Sequence, residues 1–258
     1  MTTGCLTVAM GQMLVEPGRP ERNLARAETM IASAAAQGAS AIVLPETLDL
    51  GWTSHSARDL AQDLPGAYGN TLCAAARRHG LVVAAGLTER DGDRLYNSAL
   101  LIDADGRIAA RHRKIAELDF ARAIYATGTT LGVADTRIGR IGLAICADYW
   151  TPTLGLAQGA MGAQILLSPA AWAVPPGFDP VQTPYGGEWI ASYRTIAAAF
   201  RIPVIGVSNV GPVTSGDWAG YSCIGASIAV DADGSVAARG PFGQTAEALI
   251  LAQVRIGG

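Results

Sequence analysis

Short apolar runs alternate with amphipathic stretches along most of this chain. Leu6–Met10 reads as a strand, and after Pro20 the segment Glu21–Gln37 sets Leu24, Ala27, Met30, Ile31, Ala34 and Ala35 on one helical face. Ala41–Leu44 is apolar at every position, the pattern of a strand covered on both sides. The same periods predict a helix over Asn70–His79, a strand over Leu81–Leu87 and a hairpin from Asn97–Ile102 and Ile108–Arg113. Further strands are predicted near 140–146, 164–168, 204–209, 224–230 and 248–254, with helices near 153–161 and 186–200. Each helix has one apolar face and several strands have two, so the sheets need cover on both sides. An α/β fold with two sheets stacked face to face and helices outside meets that need.

The pattern also repeats. Ile102-Asp-Ala-Asp-Gly-Arg-Ile-Ala-Ala-Arg111 returns as Val230-Asp-Ala-Asp-Gly-Ser-Val-Ala-Ala-Arg239, and Gly38-Ala-Ser-Ala-Ile-Val-Leu-Pro45 has an echo in Gly162-Ala-Gln-Ile-Leu-Leu-Ser-Pro169. The offsets, 128 and 124 residues, are close to half the chain and predict two pseudo-equivalent halves. The plainer alternative is that Asp-Ala-Asp-Gly is a favourable turn used twice. No low-complexity linker divides the halves, so residues 1–258 read as a single domain.

Composition narrows the function classes. With 258 residues, 50% hydrophobic and 16% charged, the chain can bury a substantial core. The formal charge of −3, with Arg111–Lys114 as its basic cluster, argues against nucleic acid or an anionic membrane as partner. Every long apolar stretch is broken before about 18 residues, so no membrane span is expected. Cys5, Cys73, Cys146 and Cys223 are widely spaced without a CxxC pair, so neither a disulfide framework nor a metal site is expected. Met1–Val8 lacks a basic stretch leading into an apolar one, and the expected compartment is cytoplasmic.

Three predicted strands end on reactive side chains: Leu44-Pro45-Glu46, Arg111-His112-Arg113-Lys114 and Gly142-Leu-Ala-Ile-Cys146-Ala-Asp148. A thiol with a pKa of about 8.5 is mostly protonated at neutral pH, so a nucleophilic cysteine needs a base or a cation beside it. Histidine is the usual base, but His55 falls in a polar loop and His79 ends a helix. His112 is read as out of phase with Lys114 and facing the opposite side. A carboxylate base steadied by a lysine fits better. Each residue has an ordinary alternative: Glu46 as a capping or surface acid, Lys114 as a solvated member of the basic cluster like Arg111 and Arg113, Cys146 as a structural thiol.

Taken in order, Leu44-Pro45-Glu46 with Gly51-Trp52, Tyr96-Asn97-Ser98 leading to Arg113-Lys114, and Ile145-Cys146-Ala147-Asp148 with Pro152 resemble the three signature regions of the nitrilase, or carbon–nitrogen hydrolase, superfamily. Gly162-Ala163 through Pro169, Trp172, Arg194, Asn209 and Gly225-Ala226-Ser227 extend the resemblance over nearly the whole chain. It implies a four-layer α-β-β-α sandwich of two pseudo-equivalent halves, paired into a homodimer or larger homo-oligomer. It also implies Glu46 as general base, Lys114 as catalytic lysine and Cys146 as nucleophile. The oxyanion would be held by Lys114 and the Ala147 backbone N–H, with no metal or organic cofactor.

Departures from the family pattern sharpen the expectation. Many members carry a second glutamate late in the lysine loop, where this chain has Ala123; Glu117 is the nearest substitute, and a solvated loop acid is its alternative. Tyr125 and Trp172 are candidates for the pocket wall, with apolar packing as the commoner fate of aromatics. Asp148 is expected to support the active-site loop, and Arg194 and Asn209 to be structural. Ala147-Asp148 after the nucleophile resembles the amidase and carbamoylase branches rather than nitrilases. Tyr149, Trp150 and Thr151 stand where carbamoylases tend to place arginines, which removes an anion clamp. The expected partner is a small, neutral or moderately apolar amide. Alternatives are N-carbamoyl or nitrile hydrolysis on the same site, or a non-catalytic binding or assembly scaffold. Pro175–Gly187, rich in proline and glycine, is either a pocket-shaping loop or a plain connection.

Overall fold

The structure is a computed structural model that describes residues 4–256. The first half runs β1 (Gly4–Gln12), α1 (Pro20–Ala36), β2 (Ala41–Val43), α2 (Ala57–Leu60), α3 (Gly66–His79), β3 (Val82–Asp91), β4 (Arg94–Ile102) and β5 (Ile108–Arg113). The second contains β6 (Val133–Thr136), β7 (Gly139–Leu143), α4 (Thr153–Ala160), β8 (Ile165–Ala170), β9 (Ala173–Val174), α5 (Gly187–Phe200), β10 (Val204–Ser208), β11 (Val210–Pro212), β12 (Ser222–Ile224), β13 (Ile228–Val230), β14 (Val236–Arg239) and β15 (Ala248–Ile256).

Two six-stranded sheets result, in the orders β15-β1-β2-β3-β4-β5 and β14-β13-β10-β8-β7-β6. Set against each other, β1-β2-β3-β4-β5 and β7-β8-β10-β13-β14 have the same order and the same directions, two parallel pairings followed by two antiparallel ones. The repeat is therefore one of structure. Both Asp-Ala-Asp-Gly segments close identically, through Asp103 N–H to Arg107 O and Gly106 N–H to Asp103 O in one half, and Asp231 N–H to Ser235 O and Gly234 N–H to Asp231 O in the other. β15 crosses back from the second half to pair along the whole of β1, from Gly4↔Ile256 to Gln12↔Ala248.

Strand alternation sorts the side chains into layers. Val8, Met10, Ala41, Val43, Val82, Ala84, Ala99 and Leu101 face the second sheet and share one core with Ile141, Ile165, Val204 and Ile228. Their neighbours Ala9, Ile42, Leu44, Val83, Ala85, Leu100 and Ile102 face the other way, under Leu24, Ala27, Ile31 and Leu72 of α1 and α3. That double-sided demand explains the continuous apolar runs, and it yields the expected layering of helices outside two stacked sheets. No helix among the described residues is long and apolar enough to cross a membrane.

The strand expected over 224–230 is broken. Gly225 and Ala226 both take positive φ, and a Cβ on Gly225 would lie 2.1 Å from the Gln12 amide nitrogen. The buried Gln12 amide needs that space: it donates to Pro241 O and Ala246 O and accepts from the Ser227 N–H and hydroxyl. A ladder position is given up so that a buried polar group is satisfied.

A second buried polar group fixes the turn after β2. The Asp49 carboxylate accepts the Thr88 N–H at 3.0 and 3.1 Å and the Thr88 hydroxyl at 3.2 Å, while its carbonyl accepts from the Asn23 amide. Burial raises its pKa to about 7, against the pull of the Thr88 hydrogen bonds. The folded protein therefore holds this proton between the ordinary carboxyl pKa of about 4 and about 7 while the unfolded chain does not. Its contribution to stability is complete below the unfolded value and is lost as pH rises through about 7. Urea midpoints at pH 5 and pH 8 are expected to show the loss, and Asp49→Asn to flatten it; an unchanged slope in that variant would place the dependence elsewhere.

Candidate active site

Glu46, Lys114 and Cys146 line a single cavity, brought there by the ends of three strands in two sheets. Glu46 follows β2 in a tight turn held on both sides: its N–H donates to Ala170 O of the second sheet at 3.2 Å, and the preceding Pro45 carbonyl accepts from Gly86 N–H at 2.9 Å. Lys114 directly follows β5, and its N–H donates to Asn97 O. Cys146 lies beyond the expected strand end, because β7 stops at Leu143 and the thiol begins a 3-10 turn, Cys146–Tyr149. Side chains replace the ladder there. Ile145 N–H goes to Asp148 Oδ2 and Cys146 N–H to Ser168 Oγ.

Backbone strain gathers around this site. Thr47, Thr53 and Cys146 all have positive φ, at 42°, 57° and 47°. A non-glycine residue in that region costs of order 1–3 kcal/mol and persists where surrounding structure imposes it. For Cys146 the imposing contacts are the two side-chain hydrogen bonds just named.

The charges are buried and mutually compensated. Lys114 Nζ lies 2.6 Å from Glu46 Oε1 and 3.9 Å from Glu117 Oε2, with all three side chains no more than 1% exposed. Asn97 also donates to Glu46 Oε1. Glu46 Oε2 is buried and accepts no hydrogen bond among the described residues. Burial pulls the Lys114 ammonium toward neutrality, but Glu117, then Glu46 and Cys146, more than offset it and hold the charge. Burial drives the Glu117 carboxyl up to about 7, with Lys114 opposing and Glu46 and Asp148 adding to the rise. The Cys146 thiol is pushed well above its ordinary range by burial and then by Glu46, against Lys114 and the Ala171 backbone. The resting sulfur is thus a thiol beside a carboxylate with one open oxygen.

Asp148 joins the two loops that carry Lys114 and Cys146. Its Oδ1 accepts from the Ile115 and Ala116 N–H groups, and its Oδ2 from Ile145 N–H and from His112 Nε2 at 2.8 Å. Despite burial these donors, His112 first, keep the carboxyl below its usual pKa. The expectation that His112 faces away from Lys114 is corrected. Residues two apart on a strand share a face, and both side chains are buried. Arg111 and Arg113, read as solvated, both pair with the buried Glu89, and Arg113 stacks over Tyr96 at 3.7 Å.

Among the remaining candidates, Trp172 and Ala147 line the cavity. Tyr125 does not: it packs with Leu50, Trp52 and Ala121, and its hydroxyl accepts the Thr53 N–H at 3.3 Å. Glu117 is buried rather than solvated. Arg194 donates to Gly234 O, away from the cavity. Of the loop 175–187, Tyr185 reaches the cavity whereas Phe178 stacks on Phe242. Trp52, Trp150, Trp189 and Trp218 also line it, so with Trp172 all five tryptophans of the chain meet here. Trp52 stood within a recognised motif; Trp189 and Trp218 carried no local signal.

One glycine controls how Glu46 is placed. A Cβ on Gly86 would meet Glu46 Cα at 2.5 Å and Thr47 N at 2.8 Å, both rigid backbone atoms. Gly86→Ala is expected to destabilise the protein by about 1–3 kcal/mol and to lower turnover. Thermal denaturation and activity measured together check this, and an unaltered rate would mean that the Glu46 turn tolerates displacement.

Residues 7–257 match the family described as carbon-nitrogen hydrolase, and the chain belongs to that family. It is 34% identical over 174 residues to a nitrilase of Pyrococcus abyssi, a match covering 65% of this chain and 66% of that protein. It is 30% identical over 256 residues to a chloroplastic omega-amidase of Arabidopsis thaliana, covering 91% of this chain and 63% of the relative. The chain thus spans less than two thirds of either curated relative's length. The crystal structure of a carbon-nitrogen hydrolase from Helicobacter pylori shares the fold, with a TM-score of 0.85 over 97% of this chain and 89% of that one at 22% identity.

Proposed function

We propose that this protein hydrolyses the carbon–nitrogen bond of a small-molecule amide through a thioester on Cys146. The observation that carries the reading is the Glu46 carboxylate, bonded to Lys114 through one oxygen and open at the other, in one cavity with a protonated thiol. Glu46 takes the thiol proton as sulfur attacks the amide carbonyl, which raises nucleophilicity only when substrate is in place. The oxyanion forms against the Lys114 ammonium and the Ala147 N–H, where low dielectric strengthens both interactions. Collapse breaks the C–N bond, and protonated Glu46 returns its proton to the departing nitrogen. The carboxylate then activates water, which releases the acid and restores the thiol. Glu117, 3.9 Å from Lys114 Nζ, acts as a positioning residue that keeps the ammonium charged.

Amide hydrolysis is favoured over nitrile hydrolysis by Ala147-Asp148 after the nucleophile, and over carbamoyl hydrolysis by Tyr149-Trp150-Thr151 in place of an arginine clamp. Ammonia release from a panel of simple amides, N-carbamoyl amino acids and nitriles tests this directly. Amides are expected to turn over fastest. Turnover of nitriles alone would reverse the assignment, and release from none of them would favour a binding scaffold.

A further inference from the structure

The cavity has two aromatic walls. Trp52 packs edge-on against Trp218 at 5.2 Å, and Phe120 supports both at 5.5 and 5.2 Å. On the other side Trp189 stacks on Trp172 at 4.9 Å and meets Trp150 at 5.2 Å, with Tyr185 6.2 Å from Trp172. Among the described residues no ring contact joins the two groups, so the space between them belongs to whatever enters. It measures about 110 Å³. An apolar cavity of about 150 Å³ takes up benzene, so the room here is limited to roughly one small ring, with any excess emerging past Trp150 at the mouth. Trp150 is 46% exposed.

Charge is as restrictive as size. The ionisable side chains lining the space are Glu46, Lys114, Cys146 and Tyr185, and the first two pair with each other at 2.6 Å. An acyl group carrying a second carboxylate would be desolvated among indoles with no free cation to meet it, at a heavy penalty. A cationic acyl group would likewise be desolvated, with the Glu46 carboxylate already paired to Lys114. A neutral, flat group meets ring faces and edges on both sides.

Resting on the amide reading above, we infer that the preferred substrates are primary amides of flat, uncharged acyl groups about one ring in size, aromatic carboxamides being the type, and that amides bearing a second carboxylate are rejected. Because all five tryptophans line the cavity, their fluorescence reports its occupancy without any chemistry. The experiment titrates Cys146→Ala with benzamide, with cyclohexanecarboxamide as a puckered analogue of equal heavy-atom count, and with succinamate. Benzamide is expected to bind at least about threefold more tightly than the puckered amide and at least about a hundredfold more tightly than succinamate. Trp150→Ala added to this background is expected to weaken benzamide by about threefold to tenfold and to leave succinamate weak. Equal or tighter binding of succinamate or cyclohexanecarboxamide overturns the inference. Ammonia release by the unaltered protein is scored separately: failure with every amide removes the hydrolase reading, while the binding order still decides which group the walls select.

Discussion

Cys146→Ala is expected to fold normally and to lose at least about a thousandfold in ammonia release, the scale on which removal of a nucleophile acts. The substitution removes only the sulfur. Ala keeps the Cβ and hence the same left-handed strain, and the Cys146 N–H retains its bond to Ser168. Stability should therefore change by no more than about 1 kcal/mol. A folded variant that still turned over would mean that the sulfur is a bystander and that Glu46 or water attacks directly. Cys146→Ser refines the result: a hydroxyl is harder to deprotonate than a thiol, so the same carboxylate leaves it nearly inert.

Lys114→Met should be the most damaging change to stability, at about 3–5 kcal/mol, because it strips the counter-charge from two buried carboxylates while nearly preserving volume. Glu46 and Glu117 would both be left facing apolar surroundings. The sign with pH follows. Glu117 already binds its proton more tightly than in the unfolded chain, and losing the Lys114 ammonium that opposes this strengthens it, so the penalty is small at low pH and grows as pH rises. Urea midpoints at pH 5 and pH 8 should diverge more for the variant than for the parent, and the double change Lys114→Met with Glu46→Gln should recover part of the stability but none of the activity. Equal loss at both pH values would show that packing, not charge, is what Lys114 supplies.

Much of this was legible along the chain because it is local. Glu46 and Cys146 each follow an apolar run and Lys114 follows a predicted hairpin strand, and a strand's end needs no tertiary knowledge to locate. The helix expected over residues 21–37 lies at Pro20–Ala36, since proline and the apolar face mark it from within. What escaped was decided across the fold. Trp189 on α5 and Trp218 in the loop before β12 carry no local signal, and only the fold brings them to the same cavity. Tyr125, expected as a candidate for the pocket wall, follows the 3-10 turn Asp119–Ala123 and packs behind Trp52 without lining the cavity. The short β9, β11 and β12 form a small sheet of their own, too brief for periodicity to reveal. His112 and Lys114 are two residues apart, so strand alternation alone puts them on one face.

The matching strand orders of the halves carry a final consequence. By the repeat offsets of 124 and 128 residues, Ala170 and Phe242 hold the places of Glu46 and Lys114. Ala170 is wholly buried. The two halves thus have corresponding corners, one lined by Glu46 and Lys114 and the other by Ala170 and Phe242 at the matching positions. The cavity that holds Glu46 and Cys146 thus draws its carboxylate from one half and its sulfur from the other, and cannot be assembled by either half alone.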